Sequence, residues 1–259
     1  MTSTADRAAA LLALHTDPKL LTLVNVWDVA SARAVAQAEG SRAIATASHA
    51  IAAMYGYEDG EHIPRDLMLE AVGRVVDAVD LPVTADLEAG YGDAAETVRR
   101  AIGLGVVGCN IEDQLKPLGE AVAVVESVMR AAADEGVPDF VLNARTDAFI
   151  RAGDRSPDEV LAAAIERGRA FLDAGAPVVF VPGRLTDDQV VALVDALGPQ
   201  RLTLLPAPGS PPLARLEELG VARVSFGPFP QRAALTALQE MVEGVARGEG
   251  VPEGTRPLT

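Results

Sequence analysis

Pro82-Val83-Thr84-Ala85-Asp86-Leu87-Glu88-Ala89-Gly90-Tyr91-Gly92 is the stretch on which the fold turns. A short apolar run with β-branched residues stops at a carboxylate, a second carboxylate follows two residues later, and a Gly-x-Gly turn opens a helical pattern. Asp86 and Glu88 therefore stand where a buried strand ends and a loop begins. In parallel α/β proteins that edge is where active sites are built. Alternate residues of an extended segment point the same way, so both carboxylates are expected to face one point. With no Lys or Arg beside them in the chain, their oxygens suit a hard divalent cation such as Mg²⁺. The plainer alternative is that Asp86 caps the next helix while Glu88 is solvated.

The same alternation runs through the rest of the chain. Thr2 to His15 reads as an Ala/Leu-rich helix and Leu20 to Val26 as one short buried strand. A helix from Asp28 to Glu39 follows, with Asp28 as N-cap and Gly40 as stop, then a strand over Ala43 to Ala47 and a long loop, Ser48 to Pro64. Arg65 to Val79 is amphipathic and leads into the strand ending at Asp86. Extended runs recur at Val107 to Ile111, Phe140 to Asn143, Pro177 to Val181, Arg201 to Leu205 and Ala222 to Ser225, with helical patterns between them and a last helix over Arg232 to Ala246. Eight strand-then-helix units with short links predict a parallel sheet closed into a (β/α)₈ TIM barrel, one domain over residues 1–259. An open doubly wound sheet would need an edge and a switch point that this regular pattern does not announce.

Composition sets the outer limits. Hydrophobic residues make up 49% of the 259, enough for a large core, but aromatics are only 4%, so Ala, Val and Leu must do the packing. A net charge of −15 argues against non-specific nucleic-acid binding and against an anionic membrane surface. Cys109 is the one cysteine, which excludes an intrachain disulfide and makes a reducing cytoplasm the expectation. Met1 to Arg7 lacks the basic start and apolar stretch of a signal peptide, and no apolar run reaches the length of a membrane span.

A barrel gathers the C-terminal ends of its strands into one ring, so the polar residues there belong together. They are Ser48 and His49, Asp59, Asp86 and Glu88, Glu112 and Asp113, then Arg145 and Asp147. Each has a structural alternative: His49 as a loop histidine, Asp113 or Asp147 as helix caps, Arg145 as the partner of a carboxylate. Together they suit a metal-bound anion, because acids clustered at one mouth repel unless a cation offsets them.

These residues also carry a family resemblance. Asn25-Val26-Trp27-Asp28, the Tyr55 to Glu61 loop, Asp86 to Gly92, Asn110-Ile111-Glu112-Asp113-Gln114 and Asn143 to Ala148 occur in the order and spacing of the isocitrate lyase/phosphoenolpyruvate mutase superfamily. The chain resembles that superfamily from about Val24 to Phe229. The resemblance implies Mg²⁺ bound directly by Asp86, with Asp59, Glu88 and Glu112 holding metal-bound waters. It implies a small 2-oxo or 2-hydroxy carboxylate as substrate, its carboxylate gripped by backbone amides of Ser48, His49 and Ala50, and Arg145 at the oxygen where enolate charge develops. Asp59 and Arg145 are then the candidate catalytic residues. A homo-oligomer, a tetramer or dimer of dimers sharing C-terminal helices, is implied as well.

Three departures from the family pattern concern substrate choice. Where family lyases carry a cysteine proton donor, this chain has Gln114-Leu115-Lys116-Pro117-Leu118-Gly119-Glu120, short and without a thiol. Pro182-Gly183 stands where several lyases have glutamate, and Thr203 where relatives often show asparagine. Cys109 falls inside a strand pattern and reads as a small core residue. The expected function is Mg²⁺-dependent C–C cleavage or decarboxylation of a short 2-oxo acid through an enolpyruvate-like intermediate. P–C bond chemistry on a phosphonopyruvate-type acid and a non-catalytic carboxylate-binding relative are the alternatives. A different barrel that binds phosphate at Ser225-Phe226-Gly227-Pro228 is a third.

Overall fold

The computed structural model describes residues 3–258, so Thr2, where the first helical pattern was expected to begin, lies outside the described residues. All strands are parallel: β1 (Leu21–Leu23), β2 (Asn25–Val26), β3 (Ile44–Thr46), β4 (Val83–Asp86), β5 (Gly108–Glu112), β6 (Val141–Arg145), β7 (Val178–Pro182), β8 (Leu202–Leu205) and β9 (Arg223–Ser225). The helices are α1 (Thr4–Thr16), α2 (Val29–Ala36), α3 (Ser48–Met54), α4 (Arg65–Asp77), α5 (Ala94–Gly103), α6 (Leu118–Asp134), α7 (Pro157–Asp173), α8 (Asp187–Leu197), α9 (Leu213–Glu218) and α10 (Phe229–Ala246).

The expected single strand over Leu20 to Val26 is two short ones. Leu21–Leu23 pairs with Arg223–Ser225, while Asn25–Val26 pairs with Ala45–Thr46, so the two pieces join opposite ends of the sheet. Val24 between them is exposed, and this broken strand is the seam at which the barrel closes. Asn25 locks the seam: its Oδ1 accepts from the Phe226 and Gly227 amides, each at 2.7 Å, and its Nδ2 donates to the Thr46 carbonyl at 2.8 Å. Those two amides, which follow the last strand, are thereby engaged by Asn25.

A second correction falls just after β3. Ser48 to Met54 is helix α3 where a loop running to Pro64 was expected. Its Ala-rich sequence favours helix, but Ala47 precedes it without a capping side chain, so the usual start signal is missing. At α2 local chemistry sets the start as expected. The Asp28 carboxylate accepts from the Ser31 amide at 2.7 Å and starts α2, which stops at Ala36, short of Glu39.

The register builds the interior. Asp86 lies beside Asn110, and Asn110 beside Asn143; two residues further along, Glu112 lies beside Arg145 and Arg145 beside Phe180. Parallel partners share a face, so these side chains line the barrel while Ala85, Cys109, Leu142 and Ala144 pack outward into the core beneath the helices. Thr203 donates to Asn143 Oδ1 at 2.6 Å and Asn143 donates to Asn110 at 2.7 Å, a buried polar chain across the barrel. Thr203 thus anchors this chain. Helix α1 lies at the opposite, N-terminal end, where Leu11 approaches Gly108 so closely that a Cβ there would sit 3.0 Å from it.

Candidate active site

A cavity of ≈ 370 Å³ opens at the C-terminal ends of the strands. Of the expected site residues, Ser48, His49, Asp59, Asp86 and Arg145 reach its wall. Ala50 is buried within α3, and Glu88 and Glu112 sit behind the wall.

Asp86 is fixed by two elements. Its amide donates to Thr46 Oγ1 at 3.0 Å, and its Oδ2 accepts from the Ser48 amide at 3.1 Å and the Ser48 hydroxyl at 2.8 Å. Its Oδ1 is buried with no hydrogen-bond partner. A buried acceptor left unsatisfied is costly, and one placed on the floor of a polar cavity fits a cation ligand.

Glu88 departs from the expected geometry. The strand ends at Asp86, and Glu88 takes a left-handed conformation, φ 53°, so strand alternation does not aim it. Tyr91 OH donates to it at 2.9 Å and the Glu61 amide donates to its other oxygen. Burial pushes the Glu88 carboxyl up to about 7 even against the Tyr91 hydrogen bond, and the charges of Asp86 and Asp59 add to that. Glu112 is also pushed up to about 7, first by burial, with Arg145 opposing and Asp147 and Asp86 reinforcing. These carboxyls feel one another through a low-dielectric wall, as acids around a cation site do. Asp59 is more open, 3.6 Å from His49 Nδ1.

Arg145 does pair with carboxylates, at 2.9 Å from Glu112 and 2.8 Å from Asp147. The structural alternative for Arg145, as the partner of a carboxylate, is thus realised at Glu112 and Asp147. Burial disfavours the charged guanidinium, but Glu112, Asp147 and Asp86 together outweigh it and hold the group more firmly charged than usual. Asp113 is a structural brace. One oxygen accepts from the Leu115 and Asp147 amides and the other from Arg167 Nε at 2.6 Å, while Arg167 also donates to the Lys116 carbonyl. Gln114 and Leu115 are both left-handed, and α6 begins at Leu118. The segment that carries a thiol in family lyases is here a tight turn tied to α7. Cys109 is fully buried and its thiol is pushed up, first by burial and then by the Asp86 charge.

Among the described residues no three His, Cys, Asp or Glu side chains gather closely enough to cage an ion by themselves. One direct carboxylate with water and substrate oxygens in the other positions is a pattern Mg²⁺ accepts. The cavity also holds Asn25 and Asn110, which belong to the family motifs but carried no expected role, and Arg184 and Arg232, which neighbour-by-neighbour reading of the sequence passes over. They come from β2, β5, the turn after β7 and α10, and their convergence is a product of barrel closure alone. Gly183, φ 140°, lies on the same wall, and a Cβ there would meet Phe149 at 2.9 Å, so a bulkier residue at that point would have to displace Phe149.

Comparison with known proteins places the chain in a family. The family model for phosphoenolpyruvate phosphomutase matches residues 11–246. The 2-methylisocitrate lyase of Escherichia coli (strain K12) is 33% identical over 234 residues, spanning 83% of this chain and 76% of its own. A crystal structure from Burkholderia cenocepacia J2315, provisionally named a phosphonomutase, superposes with a TM-score of 0.86 at 40% identity, covering 93% of this chain and 99% of that one. Oxaloacetate acetylhydrolase in complex with its product oxalate also superposes at 0.86, with 26% identity and coverage of 100% and 93%. By sequence and by barrel, this chain belongs to the isocitrate lyase/phosphoenolpyruvate mutase superfamily, whose members include lyases and mutases.

Proposed function

We propose that the protein is a Mg²⁺-dependent lyase or decarboxylase acting on a short 2-oxo acid. The observation that carries this reading is Asp86: ionisable, on the cavity floor, with one oxygen held by Ser48 and the other buried and unpartnered. Asp86 would hold the ion directly, with Asp59, Glu88 and Glu112 arranged around its waters. When bound, Mg²⁺ supplies charge that offsets the carboxylates and polarises a carbonyl oxygen.

The chain's own residues do the rest. The start of α3 lies on the cavity wall and offers the His49 amide to a substrate carboxylate, since the capping side chain that would otherwise take it is absent. Arg145 is held charged at the mouth, where negative charge collects on the 2-oxo oxygen as the neighbouring C–C bond breaks. In decarboxylation of an oxaloacetate-like acid the bond to the departing carboxyl breaks, CO₂ leaves, and the electron pair becomes the enolate of pyruvate. A proton from water at the methylene carbon completes the product. No thiol is placed to deliver that proton, because Cys109 faces the core and the Gln114–Glu120 turn carries none. This favours substrates whose enolate is stable enough to await solvent. P–C bond chemistry on a phosphonopyruvate-type acid is the second reading, favoured by the likeness to the Burkholderia cenocepacia structure.

The proposal extends to assembly. Helix α10 carries Leu235, Leu238, Val242 and Val245 exposed at 57, 57, 62 and 55%. Their spacing of three, four and three residues forms one stripe, which a second copy of the chain would cover.

Titration of wild type and Asp86→Asn with Mg²⁺ in the presence of oxalate, an enolpyruvate mimic, tests the site. Wild type should bind both together, and the variant should lose Mg²⁺ binding while remaining folded. Equal affinity in the two proteins would refute the assignment.

A further inference from the structure

Among the described residues six that are not glycine take a left-handed backbone, and three of them meet at one point: Glu61, Glu88 and Tyr91, at φ 65°, 53° and 56°. Side chains disfavour this region, and such strain persists only where surrounding contacts over-determine it. Here the contacts close into a ring. Tyr91 Oη donates to Glu88 Oε1 at 2.9 Å, the Glu61 amide donates to Glu88 Oε2, and the Tyr91 amide donates to Glu61 Oε1 at 2.5 Å. Tyr91 stands between Gly90 and Gly92, both left-handed at φ 94° and 82°, so the turn folds its phenol back onto the carboxylate three residues earlier. A Cβ at Gly90 would lie 2.4 Å from Ala94 Cβ, so no larger residue fits there, and Thr97 Oγ1 donates to the Gly90 carbonyl at 2.8 Å.

Glu88 is the junction of this ring with the rest of the site. Its backbone carbonyl accepts from the Glu112 amide at 2.8 Å, and Glu61 is separated from Asp59 only by Gly60. The end of β5, the turn after β4 and the loop before α4, which carry Glu112, Glu88 and Asp59, are thus joined through one residue. Glu88 is buried, and each of its oxygens already accepts from a donor of the ring. A carboxylate oxygen has a second lone pair, so the ring fixes the orientation of the group without exhausting its capacity to accept from water. Neither Glu61 nor Tyr91 lines the catalytic cavity. Both line a separate, open recess of ≈ 420 Å³ with Ile63, Pro64, Arg65 and Asp66, and reach the site only through Glu88.

Resting on the Mg²⁺ reading above, we propose that Tyr91 and Glu61 are positioning residues of the metal site: their ring aims Glu88, and the Asp59 loop with it, before the ion binds. Groups that hold a ligand's orientation from behind raise metal affinity by preorganising it. The left-handed backbone at Glu61, Glu88 and Tyr91 is then the strain that this preorganisation maintains.

Calorimetric titration with Mg²⁺ in the presence of oxalate tests the proposal on wild type, Tyr91→Phe, Glu61→Ala, Glu61→Gln, Glu88→Ala and the double variant Tyr91→Phe with Glu88→Ala. Melting temperatures of the same proteins are measured in excess chelator. Tyr91→Phe keeps the aromatic ring and loses only the hydroxyl, and should weaken Mg²⁺ binding about tenfold or more. Glu61→Ala removes the acceptor of the Tyr91 amide and should weaken binding in the same direction. Glu61→Gln keeps an oxygen at that position and should stay within about twofold of wild type. In the Glu88→Ala background, Tyr91→Phe should cost nothing further, because the hydroxyl acts through that carboxylate. A hydrogen bond that served folding alone would lower the melting temperature in chelator and leave the Mg²⁺ affinity of the folded protein unchanged. Wild-type affinity in Tyr91→Phe, or a full additional loss in the double variant, overturns the positioning role. Failure of wild type to bind Mg²⁺ with oxalate overturns the parent reading instead, and the positioning role falls with it.

Discussion

Arg145 is held in place by structure, and the proposed chemistry would use the same side chain. Its pairs with Glu112 and Asp147 fix the planar fork, and the same acids keep it charged despite burial. Lysine would keep the charge and lose the fork, so Arg145→Lys should lower kcat at least roughly 10²-fold, the scale of a lost oxyanion donor. Near-normal turnover in a folded variant would deny it that role. His15 gives a stability prediction at the other end of the barrel. It is fully buried on α1, its Nδ1 is 2.8 Å from the Leu11 carbonyl, and its Nε2 has no partner. Burial, and then the charge of Arg223, lower its pKa to about 3 from 6.5. The unfolded chain therefore binds a proton between pH 6.5 and 3 that the folded chain refuses. The stability from neutral His15 is complete above pH 6.5 and is lost as pH falls toward 3, by at most about 1.4 kcal/mol per pH unit. Glu88 and Glu112 contribute with the opposite sign between their ordinary value and about 7, so the comparison must be against a variant. Urea midpoints of wild type and His15→Leu should diverge from pH 7 to pH 5, with wild type losing more; parallel curves would contradict this. Asp86, Arg145 and Glu112 were legible in the sequence because each ends a β-branched or apolar run. Asp113 was not, since its partner Arg167 is 54 residues away and nothing local announces the pair.

The elements follow from local chemistry where a cap or a period exists and depart from it where packing decides. Asp28, Ser156 and Thr186 start α2, α7 and α8 through their own side chains. Helix α3 has no such signal, and the broken strand at Val24 is visible only once both edges of the sheet claim it. Helix α10 stands apart: among its described residues only Gln231 and Gly244 are buried, although it carries a full apolar stripe. An amphipathic helix that buries so little against its own barrel fits an assembly in which a partner covers it. Sedimentation of wild type should show a multimer, and Leu238→Glu with Val242→Glu should shift it toward the monomer. A monomeric wild type at micromolar concentration would refute the proposed interface.

Taken as a molecule, the chain is an acidic parallel barrel whose closed end is sealed by α1 and whose open end collects charge from every quarter of the sequence. The eight-unit barrel was readable from strand and helix alternation, and so was the ring of acids, because barrel geometry maps strand ends onto one mouth. The cationic wall was not readable, since Arg184 and Arg232 sit after β7 and on α10 and meet only in space. The turn from Gln114 to Glu120 is held by Arg167 on the Lys116 carbonyl and lacks a thiol, which is the basis of a prediction about substrate choice. Isocitrate and 2-methylisocitrate, whose cleavage leaves a succinate-type carbanion in need of a donor, should be poor substrates. Steady-state assay of the purified protein with oxaloacetate, phosphonopyruvate, isocitrate and 2-methylisocitrate, each with Mg²⁺ and with excess chelator, addresses the proposed function most directly. The expected result is Mg²⁺-dependent release of pyruvate from the oxaloacetate-type acid, abolished by chelator, with negligible cleavage of the two isocitrates. Robust isocitrate cleavage, or turnover of the 2-oxo acid that survives removal of Mg²⁺, would contradict it.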